Sequence, residues 1–133
     1  MFQVINNNKN SSECIGTSIV KSNDTMLSSL PTPADYIAVP EVSGAEAATT
    51  VVLQVFLNPD DLPVGTTLND YREKPIASVC ENGETPQVAF DGKGMKLTNY
   101  GTYTIESPSN INNFRLVPFV ADLNVYCVFN FYK

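Results

Sequence analysis

The 133-residue chain contains no histidine and no tryptophan, and sets only eight Lys+Arg against fourteen Asp+Glu. Without histidine the commonest general base and zinc ligand are missing, and no Ser-His or Cys-His pair exists. The formal net charge of −6 leaves no concentration of cations for phosphate or an anionic bilayer, so neither nucleic acid nor membrane is an expected partner. Charged residues make up only 17% of the chain and hydrophobic residues 43%, which is enough for a core and unlike a disordered acidic tail. So little charge suggests that a partner covers part of the surface. No run approaches the ~20 apolar residues of a membrane span. The opening, Met1-Phe2-Gln3-Val4-Ile5-Asn6-Asn7-Asn8-Lys9, has no basic segment followed by an apolar one, so no secretory signal is expected. The three cysteines, Cys14, Cys80 and Cys127, are odd in number and form no C-x-x-C pair. That excludes a disulfide framework or zinc ribbon as the reading and points to synthesis in a reducing cytoplasm. Neither a metal nor a cofactor is expected.

What is present is a single-domain length with two textures. Residues 1–33 are polar and irregular: Asn6, Asn7, Asn8, Asn10, Ser11 and Ser12 form one loop-like cluster and Ser22-Asn23-Asp24 another. Between them Cys14–Val20 has the composition of a short strand, and Leu30-Pro31-Thr32-Pro33 breaks any regular element. We read this stretch as an extended N-terminal arm leading into a domain over 34–133.

From Tyr36 onward the period is two. Val51, Leu53, Val55 and Leu57 share one strand face, and Val52, Gln54 and Phe56 the other. Tyr103 and Ile105 alternate with Thr102 and Thr104. Phe114, Leu116, Pro118 and Val120 alternate with Arg115, Val117 and Phe119. The clearest run sets Leu123, Val125, Cys127, Phe129 and Phe131 against Asn124, Tyr126, Val128, Asn130 and Tyr132. Turn residues separate the runs at Asn58–Asp61, Glu81–Glu84, Asp91–Gly94, Asn99–Gly101 and Ser107–Asn110. Many short strands at this spacing predict an all-β sandwich. Only Gly44–Ala48 and Leu68–Glu73 are left for a helical turn. Cys127, set among alternating apolar residues, reads as a small core residue.

The second faces of the late strands carry Val117, Phe119, Tyr126, Val128 and Tyr132, where a water-facing sheet would place Lys, Glu and Thr. Such a face is expected to be covered by a neighbouring subunit or by the arm. Tyrosine in particular favours interfaces.

Candidate chemistry is thin. Asp60 and Asp61 have the types needed for paired-carboxylate hydrolysis, yet Asn58-Pro59-Asp60-Asp61-Leu62-Pro63 reads as an Asx-type turn. Asp91-Gly92-Lys93-Gly94 lacks the rest of a phosphate loop and reads as a hairpin turn. Arg115 is expected to pair with a carboxylate across the sheet or an interface, or else to stand as a solvated charge. No nucleophile with an activating base emerges, so the chain is not expected to be an enzyme.

The last part of the chain runs Val79-Cys80-Glu81-Asn82-Gly83-Glu84, Met95-Lys96-Leu97-Thr98, Asn99-Tyr100-Gly101-Thr102-Tyr103-Thr104-Ile105, Asn113-Phe114-Arg115-Leu116-Val117-Pro118 and Leu123-Asn124-Val125-Tyr126-Cys127-Val128. This G-x-Y-x-I, F-R-L, V-x-V close, over residues 49–133, resembles the capsid decoration (cement) proteins of tailed bacteriophages, which are small jelly-roll-like β-sandwiches. The resemblance implies a structural virion protein on the capsid exterior, made in the host cytoplasm and bound to the major capsid protein. It also implies self-association as a dimer or trimer, with the arm reaching adjacent subunits. The contact residues expected on this reading are Phe2, Val4 and Ile5 of the arm and Phe119, Tyr126, Val128 and Tyr132 of the outer sheet face. The alternative is a carbohydrate-binding attachment module of a phage head or tail fibre, with Tyr71, Tyr100 or Tyr103 stacking on sugar near loop carboxylates.

Overall fold

The structure is a computed structural model that describes residues 13–22, 36–87, 92–118, 120 and 123–133. The expected contacts Phe2, Val4, Ile5 and Phe119 lie outside the described residues, as does much of the expected arm. Among the described residues seven strands form two antiparallel sheets: β1 (Cys14–Lys21), β2 (Thr50–Leu57), β3 (Pro75–Cys80), β4 (Met95–Thr98), β5 (Thr102–Glu106), β6 (Arg115–Pro118) and β7 (Val125–Tyr132). One sheet has the order β1-β7-β2-β5 and the other β4-β3-β6. The all-β sandwich expected from the alternation is what the chain forms. Part of the stretch read as an arm is β1, an edge strand of that sandwich.

The pairing is nested. β1 pairs with β7, Ile37 bridges Leu116 of β6, β2 pairs with β5, and β3 pairs with β4, all antiparallel. A chain doubled back on itself in this way and then rolled up also brings β7 beside β2 and β3 beside β6, as observed. That is a jelly roll, with the single Ile37 bridge standing where a second strand would run.

Strand alternation sorts the four-stranded sheet into two faces. Val51, Leu53, Val55 and Leu57 of β2 and Val125, Cys127, Phe129 and Phe131 of β7 point inward and are buried. They meet Ile76, Leu97, Phe114 and Leu116 from the other layer in one continuous core. Phe114 packs edge-on to Phe129 with centroids 6.3 Å apart, a favoured aromatic geometry. Cys127 is fully buried, as expected of a core residue, and burial pushes its thiol up to about 12.

Local elements differ from the sequence reading in two places. Ser107–Asn110, read as a turn, opens a short helix, α1 (Pro108–Asn113). Proline suits the first helical turn, and the Ser107 hydroxyl accepts from the Asn110 N–H at 3.3 Å. The Gly44–Ala48 stretch forms turns instead of a helix, whereas Leu68–Tyr71 does form a 3-10 turn.

Candidate functional site

The outer face of the four-stranded sheet is built by register. β7 supplies Tyr126, Val128, Asn130 and Tyr132, and each lies opposite an outward residue on both neighbours. Lys21, Tyr126 and Phe56 form one row, and Ile19, Val128 and Gln54 the next, with Thr102 of β5 beyond. Thr17, Asn130, Val52 and Thr104 follow, then Cys14, Tyr132, Thr50 and Glu106. Lys21 and Glu106 are the only charged residues in these rows, and they stand at opposite corners. Ile19 is 60% exposed, and Val52, Phe56, Tyr126, Val128 and Tyr132 are half-buried. Tyr126, Val128 and Tyr132, singled out from the sequence, therefore share one outward surface, and register adds Ile19, Val52 and Phe56 to it.

One corner of this face carries a ladder of three rings. Phe56 stacks with Tyr126 at 5.5 Å between centroids and 16° between planes, and with Tyr100 at 6.4 Å and 8°. The Tyr126 hydroxyl donates to Asp61 at 3.2 Å, and the Gln54 amide donates to the Tyr100 carbonyl at 3.2 Å. Tyr100 is 55% exposed and holds a φ of +67°, a left-handed conformation uncommon for a bulky side chain. Backbone bonds to β2 fix that turn: Tyr100 N–H to the Val55 carbonyl at 2.8 Å, and Val55 N–H to the Gly101 carbonyl at 3.0 Å.

The other candidate residues are placed elsewhere. Tyr71 is half-buried against the core, with the Lys74 ammonium 5.8 Å from its ring centroid. Tyr103 packs on Phe114 and its hydroxyl donates to the Glu81 carboxylate. Burial, and then that hydrogen bond, push the Tyr103 phenol above its ordinary range. So of the three tyrosines considered for sugar stacking, only Tyr100 stands in an exposed aromatic row.

Asp60 and Asp61 form a 3-10 turn, and the Asn58 side chain accepts from the Asp60 N–H at 3.0 Å. This is the expected Asx-type geometry. Arg115 departs from expectation. Its guanidinium lies over the Tyr36 ring at 4.4 Å and donates to the Thr85 hydroxyl at 3.4 Å, and among the described residues no carboxylate across the sheet pairs with it. Val117, on a face expected to be covered by a neighbouring subunit or by the arm, is 1% exposed within the single chain. Among the described residues, no three of Cys, Asp and Glu come together to hold a metal ion.

No family model, curated protein or solved structure matches this chain. The functional reading therefore rests on the geometry above.

A concavity lies at the opposite end of the sandwich from the ring ladder, below the Tyr132–Glu106 row. It is a groove of about 830 Å³ between the 38–48 loop, α1 and the end of β7. Val39, Pro40, Val42, Ala45, Ile111 and Phe131 give it an apolar lining, and Glu41 and Glu46 give it carboxylates. Nothing in the alternation pattern flagged it, because its main wall is an irregular loop.

Proposed function

We propose that the protein is a structural virion component, a decoration protein that sits on the outside of a phage capsid with the outer face of the β1-β7-β2-β5 sheet as its docking surface. The observation that carries this reading is the composition of that face: Phe56, Tyr126, Ile19, Val128, Val52 and Tyr132 set among uncharged polar residues, and charge confined to Lys21 and Glu106. A sheet face left to water alternates apolar-in and polar-out. This one presents the aromatic, charge-poor centre of an interface. The jelly-roll architecture agrees, being shared by viral capsid and lectin domains. Repetition over many shell sites lets modest single contacts sum by avidity. The test is co-sedimentation of the purified protein with shells assembled from the major capsid protein of the same phage. Val128→Asp places a charge at the centre of the face and is expected to abolish capsid binding while the sandwich stays folded. Full capsid occupancy by that variant would rule out this face as the docking surface.

The ring ladder supports a second reading, a glycan-binding attachment module. Tyr100 ends the stack with an exposed ring beside Gln54, and Asp61 meets Tyr126 at the other end. Sugar rings stack on such surfaces while neighbouring polar groups hold their hydroxyls. A glycan array separates the two. Retained sugar, lost in Tyr100→Ala, favours the attachment module, whereas a blank array with tight capsid binding favours decoration.

A further inference from the structure

We infer that the groove between the 38–48 loop and α1 is the seat of this chain's own residues 2–5, bound in the same molecule. The groove and its occupant are joined at the rim. β1 begins beside the groove: the Lys133 N–H donates to the Glu13 carbonyl at 3.1 Å, Thr49 N–H donates to the Tyr132 carbonyl at 2.9 Å, and Ala48 and Phe131 line the groove itself. Three residues on, Gly16 runs directly beneath the wall. A Cβ there would lie 3.0 Å from the Ala45 Cβ and 3.1 Å from a Val42 methyl, so glycine is what lets β1 pass this close. From Glu13 back to Ile5 the chain spans up to about 27 Å, since each extended residue adds roughly 3.3–3.6 Å. That reach covers the groove without help from another subunit.

The chemistry of the segment matches the chemistry of the groove. Residues 1–12 contain Phe2, Val4 and Ile5 together with Lys9 and no acidic residue, in a chain whose net charge is −6. The groove offers an apolar floor, the carboxylates Glu41 and Glu46 and, among the described residues, no cationic lining residue. Phe2 and Val4 fall on one side of an extended chain, as a pair of apolar anchors requires. Lys9, nearer the tether, supplies the positive charge that the rim carboxylates lack.

The tether decides for the same molecule over a second copy. A short flexible link confers an effective concentration on the order of millimolar. With an intrinsic Kd on the order of 0.1 mM, the segment fills its own groove in about nine molecules of ten and weakens any competing peptide about tenfold. This inference does not depend on what the outer sheet face binds.

The probe is a fluorescent synthetic peptide of residues 1–12, titrated by anisotropy into the full-length protein and into full-length Phe2→Asp/Val4→Asp, whose own segment can no longer occupy an apolar floor. The peptide is expected to bind the double variant saturably and the wild-type chain at least about tenfold more weakly. Adding Glu41→Gln and Glu46→Gln to the double variant should weaken the peptide severalfold and make its affinity less sensitive to salt. Circular dichroism confirms that each variant keeps the β-sandwich, and a variant that unfolds is replaced by Phe2→Ser/Val4→Ser. Light scattering is expected to give wild type and variant the same molar mass. Equal peptide affinity for both proteins, or no binding to either, overturns the inference. So does a wild-type mass that falls on substitution, which would put the segment in the groove of a second copy. Capsid co-sedimentation, read separately, reports on the docking face alone.

Discussion

The two faces of the β1-β7-β2-β5 sheet are made by the same strands, residue by residue in alternation, yet they answer different demands. Inward, Val125, Cys127, Phe129 and Phe131 are buried and meet the second sheet. Outward, Tyr126, Val128, Asn130 and Tyr132 are half-buried, and among the described residues no strand is layered over them. Apolar residues therefore occur on both sides, but for different reasons. The inner side holds the sandwich together, and the outer side mixes aromatic and aliphatic residues with uncharged polar ones. Hydrophobicity alone does not distinguish the two faces, whereas the register does.

Substitutions one residue apart on β7 break this comparison most directly. Phe129→Ala, inward and fully buried against Phe114, is expected to cost about 3–5 kcal/mol of unfolding free energy in urea titrations, because a cavity is left in a core that relaxes only in part. Stability little changed would mean that the inner face is not the structural one.

The second test uses the buried thiol. A free cysteine ionises near pH 9, and burial holds Cys127 neutral until about 12. The unfolded chain therefore loses this proton first as pH rises. Stability present below pH 9 should fall above it by roughly 1.4 kcal/mol per pH unit until the folded thiol also ionises. Comparing wild type with Cys127→Ala at pH 7 and pH 10.5 isolates this contribution, because every other ionisable group is common to the two proteins. A pH dependence identical in the two would contradict burial of the inward side.

The smallest effect on stability should come from the outward neighbour. Val128→Asp is expected to shift unfolding free energy by less than about 1 kcal/mol, since surface positions tolerate change, while it removes capsid binding. A core-sized loss there would show that the outer face serves folding as well.

Legibility in the sequence followed alternation. β7 and β2 stood out because one face is buried and the other is not, and the strand pattern placed Tyr126, Val128 and Tyr132 together. β3 left no such trace. As the central strand of the second sheet it is buried on both sides at Ile76, Ala77, Ser78 and Val79, so no period of two survives. The ladder was equally hidden. Phe56 and Tyr126 are 70 positions apart in sequence, and only the β2–β7 register sets them side by side. Tyr100 joins them through a turn whose backbone, not its composition, binds β2. Arg115 misled for a related reason: a cation in a strand invites a carboxylate, and the Tyr36 face that receives it comes from a segment with almost no strand character.

The nested pairing has a consequence for synthesis. β7, residues 125–132, lies between β1 and β2 in its sheet. On the ribosome, β1 and β2 emerge long before the strand that must separate them. Until residue 132 has left the exit tunnel that sheet has a missing middle, and the two early strands have no native neighbour on that side. Closure of the roll therefore waits for β7 to emerge, and a nascent chain stalled short of β7 should remain a substrate for chaperones however much of it has been made.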